Sequence, residues 1–599
     1  MSTTPQYSVN DYPVGTVLTW IQHQEIAIPE IQRPFVWKAT KVRDFIDSLY
    51  HGYPVGYLIT WRAPDVLLKD GTQSVGKRIL IDGQQRVISL QAALLGQEVV
   101  NKNYKQTSIV IAFHPIEERF EVSNSAIRRN SEWIDDISTV FSLGPNFYQL
   151  GDEYCKQNQN MTQHEIYGRL ARLQGIQTNN FGVIELDSNL NVETVTEIFV
   201  RINSKGVTLN ASDFVMSKIA AGEQYGGHQL RKCIDYFCRL AISPEAFGNL
   251  TTDTDFVETD YFTKMGWLRN WKNELYTPSY TDLLRVSFMI EFQRGRLRDL
   301  VALLSGRNFE TRNFEEEIAE DSFSRLKNGL IRYINETNFN RFVMILESAG
   351  FVDSSMINSM NAVNFAYALY LMLHAEGTDP QEIEQLVRRW FVMSILTGRY
   401  TGTPETAFDE DIRNITTRGA SEYLAIVEQA NLSDTFWDVA LPQQMETSSG
   451  KSPYFNVFLA SQVRANDNGF LSRDITVRTL LEGRADRHHI FPRNYLQKHN
   501  FAARDYNQIA NLVLMQQEIN IAISNRPPAA YFSDLSEGTI DGKPAFGSGI
   551  DNFDELQTNL DAHCIPSGMD TATFEDYTEF LKKRRKLMAA KIRDHYRSL

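Results

Sequence analysis

Short apolar runs rich in β-branched residues recur through the first 220 residues, each bounded by glycine, proline or aspartate. This pattern predicts β-strands. The runs are VLTWI (17–21), VGYLITW (55–61), RILIDG (78–83), SIVIAF (108–113) and FGVIELD (181–187). Between them, segments 38–52 and 84–96 carry apolar residues at helical spacing and end in glycine, which is typical of a helix C-terminus. Residues 1–220 therefore predict an α/β domain.

Longer apolar and amphipathic segments dominate residues 221–445 and predict a helical middle region. The clearest are residues 354–377 and 379–398, and the second opens with Asp-Pro, a typical N-cap and first helical residue. The polar stretch 442–455, which contains proline and serine, predicts a connection. From about residue 456 onwards, the pattern predicts a smaller α/β unit that ends in a basic helix.

The composition narrows the class of protein. With 42% hydrophobic and 22% charged residues, the chain is typical of a globular protein with large cores, and no apolar run approaches the ~18 residues of a membrane span. The polar beginning, MSTTPQYSVNDY, is unlike a signal peptide. The four scattered cysteines form neither a zinc pair nor a disulfide framework. We therefore expect reduced thiols, a cytoplasmic location and no membrane partner.

Charge is unevenly distributed along the chain. The net charge of −14 argues against a protein that coats nucleic acid nonspecifically. In contrast, residues 581–599 carry eight Lys and Arg residues against one Asp. Such a helix on an acidic body predicts a local phosphate-binding surface, and the alternative is a solvated polybasic helix face.

Two adjacent histidines, His488 and His489, precede an apolar pair and Pro492 in a chain with only 11 histidines. Neighbouring residues of an extended segment point to opposite sides, so the two rings do not readily share one core. Asn511 and Asn520 follow downstream. Histidine suits the deprotonation of water near neutral pH, and a divalent cation offsets charge on a scissile phosphate. These residue types fit phosphodiester hydrolysis, although the histidine pair alone fits a packed structural segment equally well.

Taken in order, HHIFP, NLVLMQQEIN and SNRPP resemble the motif of HNH nucleases, above all the variant in the C-terminal half of GmrSD-type restriction proteins. The resemblance implies a ββα-metal fold. In it His488 and Asn520 hold a divalent metal, His489 is the general base, and Asn511 bridges the loop and orients that base. Most GmrSD proteins carry Asp where this chain has His488. That departure leaves Mg²⁺, Mn²⁺, Ni²⁺ and Zn²⁺ open, with Mg²⁺ or Mn²⁺ expected.

A second constellation lies in ILIDGQQRVISL (79–90), where Asp-Gly follows a predicted strand and Gln-Gln-Arg opens a helix. The N–H groups of a helix N-terminus favour an anion, and arginine adds a fork for phosphate. The alternative is an N-capped helix packed on a sheet. With segments 28–61 and 199–218, the motif resembles the ParB/sulfiredoxin-like domain that begins GmrSD proteins. This implies a site for a nucleoside triphosphate (NTP), either ATP or GTP, in which Asp82 handles a metal or a water. The implied site residues are Gln32, Arg33, Asp82, Gly83, Gln84, Gln85, Arg86, Asn203 and Lys205.

The two resemblances imply an α+β multidomain protein with a ParB-like domain at 1–220, a helical body at 221–445 and an HNH domain at 446–599. The implied function is an NTP-dependent type IV restriction endonuclease in the bacterial cytoplasm. It would cleave double-stranded phage DNA that carries methylated, hydroxymethylated or glucosylated cytosine. Its predicted DNA-binding residues are Lys582, Lys583, Arg584 and Arg585.

Two alternatives remain at this stage. One is a nucleotide-switched DNA-binding or partition-like protein whose HNH module does not cleave. The other is a plain HNH nuclease with a structural N-terminal domain. A homodimer is left open.

Overall fold

A computed structural model describes residues 6–23, 25–27, 37–61, 78–100, 106–143, 146–187, 190, 195, 198, 211–273, 275–311, 313, 315–483 and 487–599. The chain divides into two compact units. The N-terminal unit comprises Met1–Lys232 and Val301–Glu320, and the C-terminal unit comprises Cys233–Leu300 and Asp321–Leu599. The fold is a mixture of α and β, as expected, and the predicted three-part division stays a prediction. None of the helices in the described ranges has the length and apolar character needed to cross a membrane.

The N-terminal unit is built on a five-stranded mixed sheet. Two small antiparallel pairs of strands accompany this sheet. The strands of the unit are β1 (Tyr7–Pro13), β2 (Ile26–Ala27), β3 (Tyr57–Trp61), β4 (Arg78–Asp82), β5 (Val99–Val100), β6 (Gln106–Thr107), β7 (Ile111–His114), β8 (Arg119–Val122) and β9 (Asn180–Leu186). The large sheet has the order β1-β9-β3-β4-β2. Strand β3 is parallel to β9 and antiparallel to β4, and β4 is parallel to β2. Strands β5–β6 and β7–β8 form the two small pairs.

Helices alternate with these strands along the chain. They are α1 (Val14–Gln22), α2 (Ala39–Tyr50), α3 (Gln84–Leu94), α4 (Ser138–Ser142), α5 (Tyr148–Gln157), α6 (Gln163–Gln174) and α7 (Ala211–Ala221). Val17, Ile46, Leu90 and Leu170 from four of them join Phe181 of β9 in one buried apolar core. Burial of these side chains supplies the main stabilisation of the unit.

Most of the predicted N-terminal elements are confirmed, and one is wrong. The segments 55–61, 78–83 and 181–187 contain β3, β4 and β9, and 108–113 contains the start of β7. The run VLTWI instead lies inside α1. Val14 and Val17, the first residue of the run, are both buried at helical spacing. Apolar runs this short fit a strand and a buried helix equally well, which explains the error.

The middle of the chain is helical, as predicted. The helices in order are α8 (Gly227–Ile242), α9 (Phe247–Leu250), α10 (Thr254–Val257), α11 (Asp260–Lys264), α12 (Tyr280–Phe292), α13 (Leu297–Leu304), α14 (Glu316–Tyr333), α15 (Glu336–Ser348), α16 (Met360–Glu376), α17 (Pro380–Thr397), α18 (Pro404–Arg418) and α19 (Ala420–Asn431). Asp379 caps α17 by accepting hydrogen bonds from the backbone N–H groups of Gln381 and Glu382. Helices α16 and α17 pack against each other.

The last part of the chain alternates short helices with two short strands. After a π-helical turn (Phe436–Ala440) come α20 (Leu441–Gln444), α21 (Pro453–Arg464), α22 (Val477–Glu482), β10 (Arg487–His489), α23 (Arg493–Lys498), α24 (Ala503–Tyr506), β11 (Leu512–Leu514), α25 (Gln517–Ile523), α26 (Pro528–Ile540), α27 (Phe553–Ala562) and α28 (Tyr577–Arg597). Helix α28 buries Leu581, Met588 and Ile592 and packs against α21. Phe580 of α28 also packs against Phe491, two residues after the paired histidines.

Candidate functional site

His488 and His489 end strand β10, which pairs antiparallel with β11. His488 lies opposite Val513, and His489 lies opposite Leu512. Pro492 follows closely and has no backbone N–H to extend the ladder, so the chain turns and α23 begins directly after it. The two histidines therefore stand where the backbone changes from strand to helix.

An open pocket of about 410 Å³ lies at this turn. It brings both histidines together with Asn520 of α25, three residues that the sequence predicted to share a site. The lining residues are His488, His489, Pro492, Arg493, Asn494, Asn520, Ile521, Ser524 and Asn525. No carboxylate stands among these described lining residues, and Arg493 is their one permanent cation.

The imidazole of His489 is held in one tautomer. Its Nε2 lies 2.9 Å from Oδ1 of Asn507. An amide oxygen only accepts hydrogen bonds, so Nε2 donates and Nδ1 keeps its lone pair. Burial lowers the pKa of His489, the hydrogen bond to Asn507 raises it, and the charge of Arg493 lowers it, with a net shift below the ordinary value. His489 is therefore neutral near pH 7 with one basic nitrogen, which is the form that a general base needs.

Asn511 is fully buried and ties the backbone after His489 to strand β11. Its Oδ1 accepts a hydrogen bond from the backbone N–H of Phe491 at 2.8 Å. Its Nδ2 donates to the carbonyls of Phe491 at 3.1 Å and Tyr506 at 3.0 Å. Its own carbonyl accepts from the N–H of Ile490 at 2.9 Å. Asn511 thus bridges the loop, as the resemblance implies.

The predicted role of Asn511 in orienting the base needs one correction. The hydrogen bonds of the Asn511 amide go to backbone atoms, whereas the imidazole of His489 is contacted by Asn507. Asn507 was missed in the sequence because a lone asparagine after a short helix carries no pattern of its own. Arg493 was missed for a similar reason, since a single arginine after proline is typical of any exposed helix start.

The pocket offers a small, neutral set of metal ligands. His488 and Asn520 supply an imidazole nitrogen and an amide oxygen, both of which bind divalent ions. Within the described ranges, no three His, Cys, Asp or Glu side chains come together as a metal cluster. Two protein ligands would leave most coordination positions to water and to phosphate oxygens.

The DGQQR motif forms the junction of β4 and α3. Asp82 ends the strand with its side chain 34% exposed, 3.8 Å from the guanidinium of Arg86. Gly83 has φ of +100°, and a Cβ there would lie 2.4 Å from Cδ2 of Leu58. Glycine is therefore required at this turn, both for its backbone conformation and for the close approach of β3.

The three residues after Gly83 are largely engaged inside the unit. Gln84 and Gln85 are buried, and Oε1 of Gln85 accepts a hydrogen bond from the backbone N–H of Trp37 at 3.2 Å. Arg86 donates from Nε to the carbonyl of Val55 at 2.8 Å and from Nη1 to that of Tyr57 at 3.3 Å. These contacts join α3 to the start of β3, and the nucleotide role of the motif stays a prediction.

Four other predicted nucleotide-site residues, Gln32, Arg33, Asn203 and Lys205, lie outside the described residues.

The basic C-terminal helix requires a correction to the predicted DNA-binding set. Lys582 and Lys583 are exposed, but Arg584 is fully buried and Arg585 is 8% exposed. Arg585 pairs with Glu446 at 3.4 Å. Arg584 sits between Leu581 and Met588 at helical spacing, so both arginines fall on the core-facing side of α28. That spacing was a usable signal in the sequence.

The sequence is similar to a family model and to a protein of known sequence. Residues 10–220 match the family model described as "GmrSD restriction endonuclease, N-terminal domain". The chain is also 22% identical over 553 residues to an uncharacterized protein, MJ0686, of Methanocaldococcus jannaschii, with 86% of this chain and 85% of that protein covered. The motif resemblance seen around DGQQR is thus confirmed at the level of the domain. Residues 10–220 are therefore similar to the N-terminal domain of GmrSD restriction endonucleases.

Proposed function

We propose that this protein is a metal-dependent DNA endonuclease of the HNH type. It acts as an NTP-dependent type IV restriction enzyme on double-stranded phage DNA with modified cytosine. The observation that carries the proposal is that His488, His489 and Asn520 line one open pocket. The order of β10, β11 and α25 around this pocket fits a ββα-metal unit. The similarity of residues 10–220 to the N-terminal domain of GmrSD restriction endonucleases supports DNA as the partner.

His489 is the proposed general base. Its Nε2–H bond to Asn507 leaves Nδ1 as the basic nitrogen, and its lowered pKa keeps the ring neutral at pH 7. A neutral imidazole at the edge of an open pocket can accept a proton from an attacking water. Asn511 fixes the backbone beyond the ring, so the direction of the imidazole is set before substrate arrives.

His488 and Asn520 are the proposed metal ligands, and the imidazole–amide set fits Mn²⁺ at least as well as Mg²⁺. A divalent ion there would supply charge neutralisation for the scissile phosphate and the leaving oxygen. Both ligands are uncharged, so the site has a low intrinsic charge, and a phosphodiester is expected to strengthen metal retention.

Arg493 is the proposed contact for the DNA phosphate. It is exposed, lines the same pocket and stacks with its guanidinium carbon 5.6 Å from the ring centroid of Tyr506. A pocket without a carboxylate in its described lining does not repel an anion. Arginine recognises phosphate through two parallel N–H donors, which favours this exposed residue over the buried Arg584 and Arg585 of α28.

The N-terminal unit is the proposed site of NTP binding and hydrolysis. Asp82 supports this part because it is partly exposed at the carboxyl end of β4, next to the N-terminus of α3. Arg86 also binds the loop before β3, so a nucleotide phosphate contacting Arg86 would act on Val55 and Tyr57. This coupling gives the nucleotide a route to change the conformation of its own unit.

The decisive experiment incubates the full chain with Mg²⁺ or Mn²⁺, with and without ATP or GTP. The substrates are plain, hydroxymethylated and glucosylated phage DNA of the same sequence. We expect cleavage that requires metal, is increased by NTP and is restricted to modified DNA. Binding of DNA without cleavage under all of these conditions would contradict the proposal and favour a nucleotide-switched DNA-binding protein.

A further inference from the structure

Arg584 is a fully buried arginine that lies in the middle of α28. Among the described residues, its guanidinium donates hydrogen bonds to backbone carbonyls. Nη1 donates to Ala510 at 2.7 Å and to Leu512 at 3.0 Å, while Nε and Nη2 donate to His563 at 3.2 Å and 3.1 Å. Burial lowers the pKa of Arg584 to about 10, and the side chain remains a cation at pH 7.

The position of these carbonyls is informative. Ala510 and Leu512 flank Asn511, so one guanidinium group donates hydrogen bonds to the backbone on both sides of that residue. Asn511 in turn accepts hydrogen bonds from the N–H groups of Ile490 and Phe491. An uninterrupted series of hydrogen bonds therefore runs from α28 to the backbone directly after His489.

Burial of a charged side chain costs free energy, because the charge is removed from water. An apolar side chain of the same volume would pack at lower cost, so a buried cation needs another reason to be present. The carbonyls of Ala510 and Leu512 point toward α28 and would lose their donors without Arg584. The cation thus fixes the position of the backbone at the start of β11, which apolar packing alone would not hold in one register.

We infer that Arg584 is a positioning residue for the nuclease site, acting through Asn511 on the backbone that carries His489. The inference rests on the proposed function for its effect on cleavage. Its effect on the β10–β11 segment is independent of that function. Arg584 consequently serves the site from the protein interior and does not contact DNA.

The structural test is hydrogen exchange of the full chain, followed by mass spectrometry of peptides that contain Ile490 and Phe491. Arg584→Met keeps the volume and removes every donor. We expect the exchange of these two amides to become about 100-fold faster, because both donate to Asn511 and lose its fixed position. Exchange at the wild-type rate in the folded variant would overturn the inference.

The matched control is Arg332→Met. Arg332 also donates to a backbone carbonyl, that of Leu371 at 2.7 Å, and it pairs with Glu291 in the same unit. We expect this variant to leave the exchange of Ile490 and Phe491 unchanged. If Arg584→Met does not fold, Arg584→Gln replaces it, since the shorter side chain cannot reach both Ala510 and Leu512. Wild-type exchange in Arg584→Gln would then overturn the inference.

The catalytic test compares kcat and KM for DNA cleavage well below the melting temperature of each variant. We expect Arg584→Met to lower kcat about 10-fold or more with KM within about 3-fold, since the backbone of the base moves while the DNA surface does not. Faster exchange together with unchanged kcat would overturn the positioning role. Absence of cleavage by the wild type would refute the proposed function. The exchange result would still show whether Arg584 holds the backbone at Ile490 and Phe491 through Asn511.

Discussion

At the residue scale, the two neighbouring histidines differ in what surrounds them. His489 is half-buried, donates to Asn507 and has a lowered pKa, all of which suit a proton acceptor. His488 lines the same pocket as Asn520, and its imidazole and the Asn520 amide are both possible metal ligands. The two adjacent histidines therefore suit two different roles: His489 suits a proton acceptor because of its hydrogen bond to Asn507, and His488 suits a metal ligand.

Asn507→Ala tests the tautomer of the proposed base. Without the Oδ1 acceptor, the proton of His489 is no longer held on Nε2, and we expect kcat for cleavage to fall about 10- to 100-fold. The measurement is the nicking rate on modified DNA. Gln497→Ala is the control, because Gln497 contacts the hydroxyl of Tyr506 and not His489. Equal losses in the two variants would contradict the role of Asn507.

His563 predicts an acid sensitivity of the C-terminal unit. It is fully buried, accepts from Gln462 at Nδ1 and donates to the carbonyl of Asn468 at 2.9 Å, and burial lowers its pKa to about 3. Below pH 6.5 the unfolded state binds a proton that the folded state does not, so the free energy of unfolding falls as the pH falls. We expect a loss of about 2 kcal/mol from this group between pH 7 and pH 5.

The measurement is urea unfolding at pH 7, 6 and 5. His563→Gln should show a weaker dependence on pH than wild type, whatever its stability at pH 7. His374→Gln replaces an exposed histidine of the same unit and should follow wild type. An unchanged pH dependence in His563→Gln would refute the assignment.

At the element scale, the junction between β4 and α3 depends on a backbone conformation that only glycine adopts readily. Gly83→Ala adds a Cβ at φ of +100°, and this atom would lie 2.4 Å from Cδ2 of Leu58. We expect a loss of about 2 kcal/mol or more in the free energy of unfolding of the N-terminal unit.

Gly168→Ala is the control for Gly83→Ala in the same unit. Gly168 lies within α6, and a Cβ there would meet nothing within 4 Å. Alanine in a helix interior is expected to stabilise by about 0.5–1 kcal/mol. Thermal unfolding of both variants gives the comparison. Similar stability of the two would contradict the strained turn.

The elements show what could be predicted from sequence and what could not. Strands β3, β4 and β9 were predictable because each is a complete apolar run with clear ends. Helix α1 was not, since a run of five residues is too short to distinguish the helical period from that of a strand. The pocket residues on β10 and α25 were predictable from chemistry and spacing. The burial of Arg584 was hidden by its basic neighbours, although its place three residues after Leu581 follows the apolar stripe.

At the scale of the whole molecule, the candidate chemistry is divided between the two units. The DGQQR motif lies in the N-terminal unit, and the histidine pocket lies in the C-terminal unit. The proposed nuclease pocket has few protein ligands and would be unselective by itself, so the proposed nucleotide-binding unit in the same chain would provide control. Hydrolysis of NTP and cleavage of DNA should therefore be separable by mutation.

Arg86→Ala tests the nucleotide part. We expect loss of NTP hydrolysis, and with it loss of nucleotide-stimulated cleavage, because the guanidinium is removed from the start of α3. Its bonds to Val55 and Tyr57 are lost as well, so Arg86→Lys, which keeps a charge and one donor group, is measured alongside. Wild-type NTP hydrolysis in Arg86→Ala would exclude this residue from the nucleotide site.

The most direct test of the central claim is the cleavage of modified phage DNA by wild type and by His489→Ala under identical metal and NTP conditions. If the neutral imidazole in the pocket takes the proton from water, His489→Ala should lose cleavage by about 100-fold or more while it still hydrolyses NTP. Cleavage at the wild-type rate by His489→Ala would contradict the account.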